Sequence, residues 1–157
     1  MKQGTIEREI YVEASPEVVF AVVSRPEHIR EWWADEAELG TGVGAVGTIA
    51  FDQGPDSAPK VAAMTVVESA APSRFAFRWT HPEGEVATPT NSLLVELDLV
   101  PTGSGTTVRL TETGFREQSW EVAVLEETYA DHVRGWAHFV PRLGTYAEEL
   151  AATGVRA

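Results

Sequence analysis

In the run Thr106 to Thr113, TTVRLTET, the alternation that turns Val108 and Leu110 to one side of a strand turns Glu112 to the same side. A carboxyl group on an apolar face is either an acid or base whose pKa is raised by lost hydration, or half of an ion pair. Arg8 or another cation at a pocket rim would be its partner. His132, beside Val133 in the helical stretch DHVRGWAHFVPRL (131–143), is the second titratable candidate. It divides between hydrogen-bonding a helix to a sheet and lining a pocket. Convergence of the two groups at one pocket would favour acid–base catalysis; a purely apolar pocket would favour binding alone. Glu96 and Asp98 oppose the apolar side of SLLVELDLV (92–100) and are expected to be solvated.

Other chemistries fit the sequence less well. Gly42 to Gly47, GVGAVG, matches the glycine pattern of a dinucleotide loop, but that loop must follow a strand and open a helix. Here TIAF (48–51) reads as a strand, so a flexible turn entering a hairpin is expected, with no cofactor. The four histidines, His28, His81, His132 and His138, show none of the paired spacings of a zinc site, and no metal is expected. There is no G-x-S-x-G nucleophile, and Ser119 reads as the cap of the last helix. With no cysteine, thiolate chemistry and disulfides are excluded.

The elements that must position these groups follow from apolar periodicity. TIEREIYVEA (5–14) places Ile6, Ile10 and Val12 on one face of a first strand, with Arg8 as the exception. Ser15 and Pro16 supply an N-cap and a first-turn proline to a helix whose apolar face carries Val19, Phe20, Val22 and Val23. PEHIREWWA (26–34) is a second short helix presenting Trp32 and Trp33. Five β-favouring runs follow, at 48–53, 61–69, 74–80, 92–100 and 106–113, broken by turn segments such as GPDSAP and PTGSG. These spacings suit an antiparallel meander. From about Ser119 to Leu150, apolar residues recur every three or four positions through Val122, Leu125, Tyr129, Val133, Trp136, Val140, Leu143, Ala147 and Leu150, as in one long amphipathic helix.

At 157 residues the chain is expected to form one domain with one core. Its formal charge of −12 repels phosphate backbones and anionic lipid surfaces, so neither nucleic acid nor a membrane is an expected partner. With no signal-peptide pattern at the start and no long apolar run, a cytoplasmic location is expected.

Once these elements are placed, the chain from about Ile6 to Leu150 resembles the helix-grip superfamily. That superfamily includes START domains, birch-pollen-allergen-like proteins and aromatic polyketide cyclases (SRPBCC). More narrowly, it resembles bacterial homologues of the C-terminal domain of the heat-shock-protein-90 ATPase activator. The resemblance rests on ASPEVVF (14–20) for A-x-P-E-x-V-W, PEHIREWW (26–33) for P-E-x-[IL]-x-x-W-W, and RFAFRW (74–79) for R-L-x-x-x-W. It also rests on HVRGW (132–136) followed by Val140, Leu143 and Tyr146 for H-x-x-G-W-x-x-x-L-x-x-L-x-x-Y. Phe20 stands where the family has tryptophan, and Pro141 interrupts the closing motif.

The resemblance implies an α+β helix-grip fold, with a curved antiparallel sheet gripping a long C-terminal helix and a ligand pocket between them. It transfers no family-wide catalytic residue. The eukaryotic activator engages its chaperone through a separate N-terminal domain for which this chain has no room, so chaperone activation is not expected.

Gly135 and Pro141 disfavour a helix interior by about 1 and 3 kcal/mol, so tertiary fit must compensate. Gly135 is expected to permit close approach to the sheet or the Trp32–Trp33 helix, and Pro141 to kink the helix or start a new segment. The expected pocket, of about 300 to 1,000 Å³, is lined by Trp33, Phe51, Phe77, Trp79, Val95, Leu110, Glu112, Tyr129, His132, Val133 and Trp136. The expected function is binding of a small apolar or amphipathic molecule. A cyclase- or dehydratase-type enzyme using the same cavity and a co-chaperone-like interaction module are the alternatives.

Overall fold

A computed structural model describes residues 4–40 and 42–154. The chain runs β1 (Thr5–Val12), α1 (Pro16–Ser24), α2 (Pro26–Trp32), β2 (Glu36–Glu38), β3 (Val46–Phe51), β4 (Lys60–Ala70), β5 (Arg74–His81), β6 (Leu93–Thr102), β7 (Gly105–Thr113) and α3 (Val122–Ala152). The strands form one antiparallel sheet of seven, ordered β1-β7-β6-β5-β4-β3-β2. This is the helix-grip architecture. Six strands are a simple meander, and β1 closes the far edge against β7.

Register aligns the inward residues into rows across the sheet. Ile6, Glu112, Val95, Phe77 and Val66 form one row through β1, β7, β6, β5 and β4. All five are buried. Leu99 pairs with Val108, and Leu97 with Leu110 and Phe75, in neighbouring rows. On the outer face, Glu96 and Asp98 are half-buried rather than simply solvated, because both bond the Arg74 guanidinium, which also reaches Glu68 at 2.7 Å.

Local chemistry sets the turns. Ser15 caps α1 through Val18 N–H at 3.3 Å, and Pro16 opens it. The glycine-rich segment is a turn into β3. Gly47 lies inside that strand, where a Cβ would sit 2.0 Å from the Glu38 carbonyl oxygen, so it serves close approach of β2 and β3. The short strand β2 has no expectation from periodicity to match it.

Helix α3 departs from expectation in three respects. Its N-cap is Glu121, which makes no side-chain cap bond, so Ser119 is not the cap. It runs unbroken through Pro141, which starts no new segment; both Pro141 and Ala137 are exposed, on the side of the helix away from its packed face. Gly135 makes no close approach, since a Cβ there would meet nothing within 4 Å; Gly144 does, at 3.1 Å from Ile10 Cδ1 and 3.6 Å from Val12 Cγ2. The helix packs through Trp136, Val140, Leu143, Gly144 and Ala147 against β1, α1 and α2. The β3–β5 side of the sheet is left as the wall of an open cleft. No helix among the described residues is long and apolar enough to cross a membrane.

Candidate functional site

Glu112 is fully buried, at 0% exposure, within the apolar row described above. A carboxyl group so placed is strongly unfavourable unless hydrogen-bonded. Two indole N–H groups and one imidazole nitrogen meet it. Trp79 Nε1 donates to Oε2 at 2.7 Å, Trp136 Nε1 donates to Oε1 at 2.8 Å, and His132 Nδ1 lies 2.9 and 3.0 Å from the two oxygens. Local structure explains the convergence. His132 and Trp136 are one helical turn apart on α3, at i and i+4. Trp79 lies on β5 opposite Leu93, two residues beyond Phe77 of the Glu112 row and on the same face.

An indole N–H can only donate, so the clamp suits an ionised, acceptor-only carboxylate. The sequence offered Arg8 as a partner, and the structure gives that role to His132 and the two indoles. The Arg8 guanidinium instead reaches the Glu7 carbonyl at 3.5 Å, and its buried Nε has no hydrogen-bond partner among the described residues.

The imidazole of His132 is held from several sides. Its ring centroid is 5.2 Å from that of Trp79 and 5.5 Å from that of Phe115, and its side chain is 9% exposed. With Nδ1 turned to Glu112, Nε2 makes no hydrogen bond to any described residue, and His132 lines the cleft between α3 and the β3–β5 wall.

That cleft has a volume of about 540 Å³. Its aromatic surface comes from Trp33, Phe51, Trp79, Trp136 and Phe139, and its charged rim from Asp35, Asp52, Lys60, Asp131, Arg134 and Arg142. Trp33 is the hub, with ring centroids 5.1 Å from Trp79, 5.2 Å from Trp136 and 6.0 Å from Phe51. A second lobe of about 430 Å³ shares Lys60, Asp131, His132 and Arg134 and continues toward Val124. In the cleft wall, Thr80 has φ +70°, a left-handed conformation that a β-branched residue adopts only under strain. It coincides with a shift of register between β4 and β5 at Ala63 and Met64.

Of the residues expected to line a pocket, Trp33, Phe51, Trp79, His132 and Trp136 do line this cleft. Phe77, Val95 and Leu110 are buried core and do not line it, and Glu112 lies behind the two indoles it binds. Tyr129 and Val133 face a separate groove against residues 4–8 of β1 and its approach, where Tyr129 Oη donates to the Thr5 carbonyl at 2.9 Å. Sequence reading missed Phe139, Gly135 and Arg142. Their signal was a second stripe on the final helix, at 132, 135, 136, 139 and 142, flanking the core stripe that drew attention. The rim residues Asp35, Asp52 and Lys60 sit at strand ends and carried no periodic signal.

The other histidines are structural or peripheral. His81 bonds Thr65 Oγ1 at 3.1 Å through Nε2. His28 Nδ1 and Tyr146 Oη, 2.7 Å apart, clasp α2 to α3. Burial holds the His28 imidazole below its ordinary range and the Tyr146 phenol above its own; Glu27 and Glu31 oppose the first shift and reinforce the second. His138 is exposed at the cleft rim near Arg142.

With the geometry in hand, comparison with known proteins adds the family context. The family described as Activator of Hsp90 ATPase homolog 1-like protein matches residues 13–148. No curated protein matches the sequence. Among solved structures, a crystal structure of a protein from Mesorhizobium loti is similar at TM-score 0.73 and 20% identity, covering 92% of this chain and 97% of that one. The Aha1 dimer from Colwellia psychrerythraea, solved in solution, is similar at TM-score 0.70 and 19% identity, with 92% and 96% covered. DynU16, from the dynemicin biosynthetic locus, is similar at TM-score 0.68 and 19% identity, over 98% of this chain and 49% of that one. At these identities the likeness is one of fold.

Proposed function

Given that the chain belongs to the Activator of Hsp90 ATPase homolog 1-like family, we propose that it binds a small aromatic or amphipathic molecule in the cleft between α3 and the β3–β5 wall. The observation that carries this reading is the aromatic surface of Trp33, Phe51, Trp79, Trp136 and Phe139 around a space of about 540 Å³, with His132 set among these rings and charged side chains at the rim. A mostly apolar concavity with few oriented polar groups is the usual form of a small-molecule site. Affinity would come from burial of apolar surface, at about 25 cal/mol per Å² before the losses of association.

The test is a thermal-shift and tryptophan-fluorescence panel of fused aromatics, fatty acids and sterols. A ligand at a hundred times its Kd should stabilise the fold by about 2.7 kcal/mol, or roughly 5–10 °C for a chain of this size. Trp33, Trp79 and Trp136 should report the same event by fluorescence. A panel with neither signal overturns the reading.

A second reading is favoured by one specific observation, the convergence of Glu112 and His132 at the cleft. In it the same pair performs acid–base chemistry on the bound molecule, Nε2 being the atom that meets substrate and Glu112 positioning the ring. Loss of 10² or more in kcat/KM in His132→Asn at unchanged melting temperature would support it.

A further inference from the structure

The Glu112 clamp fixes more than the position of His132. Each carboxylate oxygen already accepts one indole N–H, and Nδ1 lies at nearly equal distance from both, 2.9 and 3.0 Å. An acceptor-only carboxylate, the form that two indole donors suit, leaves Nδ1 as the donor to it. Nδ1 therefore carries the proton, and in the neutral ring the lone pair is on Nε2. The side chain holding that lone pair is 9% exposed and lines the cleft, and Nε2 has no hydrogen-bond partner among the described residues. A group that completes it must be a hydrogen-bond donor. Trp79 packs against the His132 ring, and Trp136 lies beside Trp79 at 6.1 Å, so aromatic faces stand on one side of the imidazole, while Lys60, Asp131 and Arg134 line the same two spaces that it does.

We infer that the cleft selects planar aromatic molecules bearing a hydroxyl group, the ring packing among the indoles and the phenolic O–H donating to His132 Nε2. The inference rests on the binding function proposed above and names the chemical class it serves. A phenol fits better than an aliphatic alcohol on both counts: it is the more acidic donor, and its ring supplies the flat apolar surface the walls accept. An ether or a carboxylate of the same size would set an acceptor against the lone pair and forfeit that bond. Selectivity then follows from the tautomer that the buried carboxylate imposes, as when a site built around one hydrogen bond rejects the analogue lacking it.

The experiment compares 2-naphthol, 2-methoxynaphthalene and 2-naphthoate by calorimetry at neutral pH on the wild-type chain and on His132→Phe, which keeps an aromatic ring but has no acceptor. In the wild type, 2-naphthol should bind about tenfold more tightly than its methyl ether. In His132→Phe the two should bind within about twofold of each other, the ether keeping its wild-type affinity. Equal wild-type binding of naphthol and ether overturns the hydroxyl inference and leaves the binding reading standing. Absence of binding by all three probes overturns the inference, and a blank result across the wider panel as well overturns both. A naphthol preference that survives in His132→Phe assigns it to the cationic rim and overturns the role of Nε2.

Should His132→Phe fail to fold, nitrogen-15 imidazole spectra of the wild type decide the matter. A protonated Nδ1 and unprotonated Nε2, with the Nε2 resonance moving on addition of 2-naphthol and not of the ether, is the expected result. Protonation at Nε2 in the free protein overturns the inference.

Discussion

Gly135 is the position at which the cleft and the helix make opposite demands. It lies well inside the 31-residue helix α3, where glycine is less favourable than alanine by about 0.5–1 kcal/mol because of the backbone freedom it loses on folding. Close packing usually explains such a residue, and Gly144 illustrates it, with Ile10 at 3.1 Å from where its Cβ would be. At Gly135 a Cβ would meet nothing within 4 Å, and the position lines the cleft. Gly135→Ala should therefore stabilise the fold by about 0.5–1 kcal/mol, raising the melting temperature by roughly 1–4 °C. Gly135→Phe should keep much of the helical gain and fill the space between Trp136, Phe139 and the sheet wall. It should then abolish the ligand-induced shift that the wild type shows. The assay is paired: urea titration of the three apo proteins, and thermal shift with the best ligand of the panel. If Gly135→Ala destabilises the fold, or if Gly135→Phe retains ligand affinity, the glycine is not serving the cleft and the reasoning fails.

Three further perturbations test the groups behind the cleft. Glu112→Gln sets an amide N–H₂ against one of two indole N–H donors and removes the charge assisting three hydrogen bonds, so urea titration should show a loss of about 2–4 kcal/mol; a change below about 0.5 kcal/mol would mean that the carboxylate is not the acceptor for both indoles. Trp136→Ala removes a buried ring together with one of those bonds and should cost about 3–5 kcal/mol by the same titration, a loss under 1 kcal/mol placing the indole outside the core. Burial lowers the His28 pKa, so the unfolded chain takes up the proton first as pH falls. The contribution of the neutral imidazole is therefore complete above about pH 6.5 and lost as pH drops through the lower folded value. The raised Tyr146 pKa makes its own contribution complete below about pH 10 and lost as pH rises through the higher folded value. Stability of the wild type relative to His28→Phe should decline on the acid side of that window and stability relative to Tyr146→Phe on the alkaline side, and a flat His28→Phe difference from pH 5 to 8 would exclude the His28 part.

Several elements were legible because one periodicity governed them. The inward rows from Phe75 to Trp79, from Leu93 to Leu99 and through Val108 and Leu110 follow from alternation alone, and the core stripe of α3 follows from the helical repeat. Strand β2 was not legible: three residues, Glu36–Glu38, carry too few positions for a pattern and are strand only because β3 pairs with them. The cleft was half legible. Its aromatic members lie on apolar faces and stand out as core candidates, but whether a ring closes the core or walls a cavity depends on which strands the helix covers. Here α3 packs over β1 and the short helices rather than over β3–β5, which turns Trp33 and Phe51 into wall and leaves Phe77, Val95 and Leu110 as buried core outside the cleft.

Glu112 was singled out by parity, and its partners were not, because they come from elements far apart in the chain. Trp79 is 33 residues away and Trp136 is 24 residues away on the opposite side. Their indole nitrogens gave no signal of their own, since a tryptophan on an apolar face reads as bulk. Both rings bury apolar area, and both aim their single donor at the same carboxylate. A sheet row of Ile6, Val95, Phe77 and Val66 would pack as well around a leucine at position 112, and replacing buried ionic groups with apolar ones is often neutral or stabilising. Leucine would, however, strand two indole N–H groups and leave His132 free to rotate or change tautomer. The carboxylate is thus best understood by what it fixes: two rings that wall the cleft and one imidazole whose remaining nitrogen faces it. On that account its contribution is to the orientation of the cleft, and the stability lost on removing it comes from the donors left behind.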